Sequence, residues 1–434
     1  MTPNDRVLNY QGGKMKHQER LSNRIKILSS AAALALAPGV AGAFGMMTVG
    51  DWQVEFSGNV NSFLTFVECD NDTGGGVAGG LACGSLDTTE REFTDIRTGL
   101  LPSWFGFHAE QEVDGLKTGI TIGFQPGGDG GNQGGIAGAP IDGGLGLNSS
   151  NFRQVFIDFG GDWGTIKVGR DLGIFGGDAI LSDMTLLGVG TVSDLTQGGG
   201  NTSLGRIGVG YMYADWKGQF RYTSPTWSGF SFAAAVVDPW GAVNLSGQSL
   251  DAGTFDQEGD TFGIEGMASY AWEGDFGGKV WASFINQSLD SGTFGNEDAT
   301  GFDVGAKVGF AGFEVVAYYY SGEGIGTTDF LFDALDLAGN TRDSDGGYLQ
   351  ATYKFPGLGT KIGVSYGESN LDRGPADPVD TALVETNESF VFGVYHPLTP
   401  ALNLVLEYTG TEATAHNGAE AEETVIAIGA ILFY

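Results

Sequence analysis

Apolar and polar residues alternate one by one through most of this chain, a period that fits β-strands and little else. Residues 52–66 set Trp52, Val54, Phe56, Val60, Leu64 and Phe66 on one face. Gln53, Glu55, Ser57, Asn59, Asn61 and Thr65 take the other. Residues 116–124 repeat the pattern, and 302–310 set Phe302, Val304, Ala306, Val308 and Phe310 against Asp303, Gly305, Lys307 and Gly309. Residues 402–408 do so again, with Leu402, Leu404, Leu406 and Tyr408 against Asn403, Val405 and Glu407. Beyond the leader no apolar run reaches the ~18 residues of a membrane helix.

Two kinds of connection alternate along the strands. Tight turns fall at "VDGL", "GGDWG", "PTWSG", "EGDFGG", "FAGF", "FPGLG" and "HPLTP". Long polar, acidic segments lie between them, among them 322–347 and 368–388. Seven turns join fourteen strands, and the stretches 52–66 and 424–434 bring the expectation to sixteen antiparallel strands. A secreted soluble β-sandwich or adhesin would also alternate, with the apolar face turned inward. Three features favour an inside-out transmembrane barrel. The polar faces carry Gly, Ser, Asn and single charges, as a wet lumen would. The strands are long enough to span a bilayer at a tilt. Aromatics such as Trp104, Trp163, Trp227, Phe230, Trp272 and Phe310 gather near strand ends, like interfacial girdles. Closure matters because an open sheet edge in hydrocarbon leaves backbone groups unsatisfied.

Residues 1–43 stand apart from this rhythm. Lys16, Arg20, Arg24 and Lys26 precede the short apolar run "ILSSAAALALAPGVAG", and Ala41-Gly42-Ala43 is a small-x-small site. We read them as an upstream extension (residues 1–14) and a cleaved signal peptide, leaving 44–434 as the barrel domain. Losing residues 1–43 removes six of the 21 basic and two of the 53 acidic side chains, leaving 15 against 51. Such a surplus excludes nucleic acid as a partner, because phosphate binding needs clustered Lys and Arg. In an exported chain Cys69 and Cys83 read as a disulfide closing a surface loop. Two thiolates with no nearby His do not fill a zinc site, so no metal is expected. The sequence carries no His-Glu-x-x-His, Gly-x-Ser-x-Gly or P-loop, and neither an enzyme nor a cofactor is expected.

The turn centres near residues 162 and 227 are spaced furthest apart, and the excess follows "TIKVGRD". It leaves a third long loop of about 35 residues, 171–205, whose run "LGIFGGDAILSDMTLLGVGTVSDL" is apolar. An apolar loop needs a surface to pack on, and the lumen wall supplies one.

With "WGTIKVGRD" (163–171), "FRYTSPTWSGFSF" (220–232) and the aromatic strand "ETVIAIGAILFY" (423–434), the chain resembles the general diffusion porins of the Gram-negative outer membrane. The resemblance implies a sixteen-stranded homotrimeric barrel with short periplasmic turns, long extracellular loops and an inward-folded third loop. It also implies an eyelet in which wall arginines face loop acids. Its partners would be membrane lipid and lipopolysaccharide, with ions and small hydrophilic solutes passing through. Arg97, Arg153, Arg170 and Arg221 are the wall candidates, and Asp171, Asp178, Asp183 and Asp194 the loop candidates. Parity puts Arg97 and Arg221 inward. It puts Arg170 on the lipid face, at a cost of roughly 2–4 kcal/mol, unless a bulge at Gly169 turns it into the lumen; we expect the bulge. Ile426, Ile428, Ala430, Leu432 and Tyr434 form one apolar face, and with Phe433 they are expected to close the barrel and carry its assembly signal. The acid surplus predicts cation preference. A substrate-specific channel is the nearer alternative.

Overall fold

The computed structural model describes residues 44–70, 76–83, 90–125, 152–192, 202–242, 261–290 and 296–434. All of them lie in one compact unit. The leader and Asp194 lie outside the described residues.

Among the described residues, eighteen strand segments form one sheet. In chain order they are β1 (Phe44–Val49), β2 (Trp52–Asp70), β3 (Glu90–Arg97), β4 (Trp104–Val113), β5 (Leu116–Phe124) and β6 (Gln154–Gly161). Then come β7 (Gly164–Leu172), β8 (Trp216–Thr223), β9 (Phe230–Val237), β10 (Gly263–Trp272), β11 (Phe276–Asp290) and β12 (Asn296–Phe310). The last six are β13 (Phe313–Glu323), β14 (Asp343–Lys354), β15 (Lys361–Leu371), β16 (Val384–Pro397), β17 (Leu402–Ala415) and β18 (Glu420–Phe433). A short helix α1 (Gly177–Ser182) and a 3-10 turn (Met184–Leu187) lie between β7 and β8.

These segments occupy sixteen wall positions. On one edge β2 pairs β3 through Phe63–Asp70 and β4 through Gln53–Asn59, so β3 and β4 are halves of one strand interrupted at 98–103. On its other edge β2 pairs β18 from Asn59↔Phe433 to Asp70↔Glu422, and β1 continues that column from Val54↔Met47. The ring is a closed sixteen-stranded antiparallel barrel. Every expected tight turn is present. Val113↔Leu116 and Phe310↔Phe313 close on Asp114-Gly115 and Ala311-Gly312, all four at positive φ, the geometry that suits the twist of two-residue hairpins.

Parity sorts the two faces as expected. Val60, Leu64, Phe302, Val304, Leu406, Ile426, Ile428 and Leu432 are exposed on the outside, while Asn59, Asn61, Asp303 and Glu407 are buried inside. Trp163 stacks with Tyr222, Tyr270 with Trp272 and Phe276 with Phe310 beside the tight turns, forming an aromatic girdle.

The seam is pinned at Gly58 and Tyr434, which exchange both backbone hydrogen bonds at 3.0 Å. A Cβ on Gly58 would stand 2.1 Å from the Trp104 carbonyl oxygen and 2.6 Å from Tyr434 Oη. Gly58→Leu is therefore expected to abolish the heat-resistant folded band on a gel. Deleting Phe433 and Tyr434 is expected to impair assembly more than it alters the conductance of the barrels that do form.

Candidate functional site in the barrel interior

The described residues between β7 and β8, 173–192 and 202–215, enter the barrel, and they reach the opposite wall at β17. A loop inside a barrel must find partners for its backbone, and inward-facing side chains provide them. On entry, the Ile174 and Phe175 amides donate to Glu265 Oε2 of β10 at 2.5 and 3.3 Å, and Gly176 donates to Asp303 Oδ2 of β12 at 3.0 Å. Lys217 Nζ, 2.5 Å from Glu265 Oε1, supplies the charge that such a buried carboxylate needs. Beneath α1, Tyr348 Oη donates to the Ala179 carbonyl at 2.8 Å, and Gln350 accepts from Met184 and donates to the Ser182 carbonyl. At the far side Glu407 Oε2 of β17 accepts the Val189 and Gly190 amides at 2.6 and 2.9 Å, while Tyr395 Oη donates to Oε1 at 2.6 Å. A Cβ on Gly188 would stand 2.1 Å from that carboxylate, so a larger residue there would push Glu407 off the two amides. On the return path the buried Arg206 donates to Ser365 Oγ at 2.6 Å and to the Ser389 carbonyl at 3.2 Å. The inward-folded third loop foreseen from spacing and composition is thus present, and its described part extends to Asp215.

A second inward loop was not foreseen. We expected 322–347 to be an external, polar, acidic excursion, yet 325–335 lie buried in the barrel. Ile325, Phe330, Leu331 and Leu335 pack with Phe175, Ile180 and Tyr211 of the third loop against Trp281, Val316, Tyr318 and Tyr348 of the wall. The run "DFLFDAL" carried the signal, but the acids around it masked it. Arg342 Nε and Nη2 grip Asp377 at 2.7 Å, both side chains fully buried, and fasten this loop to the next.

The two inward loops touch at a carboxyl pair. Tyr213 donates its amide to the Thr328 carbonyl at 3.0 Å, which sets Asp215 and Asp329 side by side in a buried position. Burial raises both carboxyls, and the charge on Asp215 helps push Asp329 well above the usual carboxylate range. A carboxyl raised by folding contributes stability that is complete below its unfolded value and is lost as pH rises through its folded one. Loop contact is therefore expected to weaken with rising pH above the acid range. Asp329→Asn should flatten that dependence in hydrogen exchange of residues 324–342.

The predicted site residues divide. Arg97, Arg153 and Arg221 face inward. Arg97 Nη2 donates to the Thr202 carbonyl at 3.4 Å and Arg153 Nη1 to Tyr213 Oη at 3.3 Å. Arg170 does not turn inward. The register runs unbroken through Gly169, with Arg170 opposite Val155 and Gly218 on the outer face, and no bulge forms. Gly169 adopts φ +129 with no shift of register on either edge. Arg170 Nε has no hydrogen-bond partner there. Asp171 belongs to β7 rather than to the loop and pairs with Lys167. Asp178 pairs with Lys279 at 2.6 Å, and Asp183 caps the 3-10 turn and accepts Tyr211 Oη at 2.9 Å. The loop acids whose partners are seen here therefore meet lysine or hydroxyl, not the wall arginines. Glu265, Asp303, Arg206 and Glu407 went unforeseen, although parity had already put Asp303 and Glu407 on the polar face. Cys69 and Cys83 converge on Glu423, whose Oε2 lies 4.0 Å from the Cys69 sulfur and accepts the Cys83 amide at 3.2 Å. Their sulfurs are not joined in this structure.

A closed barrel with a loop pinned across its interior is the architecture of a pore. A family model described as Gram-negative porin matches residues 30–416. The chain belongs to the Gram-negative porin family. Membership makes this porin an outer-membrane channel protein and not an enzyme. Among solved structures, the porin is similar to the outer membrane channel DcaP of Acinetobacter baumannii, with a TM-score of 0.63 and 14% identity over 90% of this chain and 99% of that one. It is similar also to OmpT of Vibrio cholerae, with a TM-score of 0.53 and 13% identity over 90% and 100%. Salmonella typhi OmpF, in a complex with daunomycin, gives a TM-score of 0.53 and 14% identity over 90% and 100%. At these identities the likeness concerns the fold alone. A search of curated proteins finds no match.

Proposed function

We propose that this porin is a passive, homotrimeric diffusion channel for ions and small hydrophilic solutes, held in lipid and lipopolysaccharide and made with a cleaved leader at 1–43. The loop crossing from Glu265 to Glu407 carries the reading, since it narrows a lumen that would otherwise be wide. The surplus of 51 acids over 15 bases after residue 43 supports cation preference. A reversal potential favouring chloride in a KCl gradient would overturn that part. The second inward loop favours a narrower, solute-selective channel over a general one. Liposome swelling with sugars of graded size separates the two: a general porin shows a size cutoff without saturation, a selective one saturates. We also propose that Cys69 and Cys83 oxidise to a disulfide on export. The check is intact mass before and after reduction, and an unchanged mass would refute it.

A further inference from the structure

After residue 43 this porin carries only 15 Lys and Arg. Three times, adjacent strands nevertheless set two of them directly opposite on the inner face. Lys167 of β7 faces Arg221 of β8, Lys279 of β11 faces Lys307 of β12, and Lys354 of β14 faces Lys361 of β15. Directly opposed like charges are destabilising in a sheet, so the arrangement calls for anions. All six lie in the half of the barrel near the tight turns. The protein supplies part of the countercharge: Asp171 to Lys167, Asp178 to Lys279, and Glu314 to Lys307 at 3.2 Å. Asp158 stands opposite Lys167 on its other side. Arg221, Lys354 and Lys361 form no ion pair among the described residues. Arg221 Nε has no hydrogen-bond partner, and Lys361 Nζ rests 4.6 Å over the Tyr395 ring. Between the first two pairs the inner wall carries Ser231, Ala233, Ala235, Met267 and Ser269, with Ile174 of the third loop packed on Ala233 and Ala235.

We infer that this basic belt is a binding site for small anionic solutes, carboxylates or phosphates, on the tight-turn side of the constriction. The protein neutralises Lys167, Lys279 and Lys307, and Arg221, Lys354 and Lys361 are left for the solute. The belt covers an arc from β7 to β15 and works as a row of weak sites along which an anion is retained and passed. The inference rests on the channel reading, but not on the sign of its overall ion preference.

The test uses the full-length porin in planar bilayers, with citrate added to one side at a time against a KCl current. Citrate on the tight-turn side is expected to reduce the current with a defined half-blocking concentration. The combined Arg221→Gln, Lys354→Gln and Lys361→Gln variant is expected to raise that concentration at least about tenfold. The three single variants are measured alongside, each expected to raise it, so that misassembly of the triple does not decide the matter. Equal block of wild type and variants, or a KCl current insensitive to citrate, overturns the belt. Silent bilayers from a correctly folded barrel overturn the channel reading and the belt with it.

Discussion

Arg342→Ala is expected to release the second inward loop while leaving the barrel wall intact. The guanidinium and Asp377 form two hydrogen bonds of 2.7 Å with both side chains wholly buried, and Arg342 also donates to the Asp333 carbonyl at 2.9 Å. Removing one member of a buried pair strands the other charge without water, at a cost of about 3–5 kcal/mol. That exceeds what an inward loop of this length can absorb, whereas the wall is held by an unbroken ladder from β10 to β18. Residues 324–342 should become protease-sensitive and exchange their amides quickly. The heat-resistant band should persist, and conductance should rise. Replacing both partners by apolar residues of similar volume should restore protection, because the penalty comes from the orphaned charge.

Arg206→Ala is the second large effect expected, and it acts on the third loop. Arg206 is fully buried, and its guanidinium holds Ser365 Oγ, the Ser389 carbonyl and the Val209 carbonyl. Burial lowers its pKa, with Asp183 and nearby tyrosines opposing that shift. Hydrogen bonds to a charged group contribute about 1.5–3 kcal/mol each, and truncation leaves two buried carbonyls short of a donor. The return limb of the loop should detach from β15 and β16, giving larger and noisier current steps. Arg206→Lys keeps the charge but not the fork, and it should rescue only part of the effect.

The wall was readable from sequence because alternation both assigns a strand and chooses its face. Leu404, Leu406 and Tyr408 had to meet lipid once Asn403 and Glu407 faced a polar interior. The turns were readable because Asp-Gly and Ala-Gly steps mark reversals of fixed geometry. The third loop showed itself through excess length and apolar composition. The interior was less legible, since parity says that Asp303 and Glu407 point inward but not whether water or a loop amide meets them. The second inward loop was hidden by its own acids, three of which, Asp329, Asp333 and Asp336, are buried with it. Arg170 shows the opposite error. A rule about the cost of charge in lipid favoured a bulge, but the register is set by ladders on both edges of β7.

The central claim is that a folded, loop-narrowed barrel conducts passively. Single-channel recording of the full-length protein in planar bilayers tests it most directly. The account predicts discrete steps proportional to KCl concentration, a reversal potential favouring potassium, and larger steps for Arg206→Ala. A heat-resistant barrel that leaves the bilayer silent would contradict it, as would steps that stay the same size when the third loop is released.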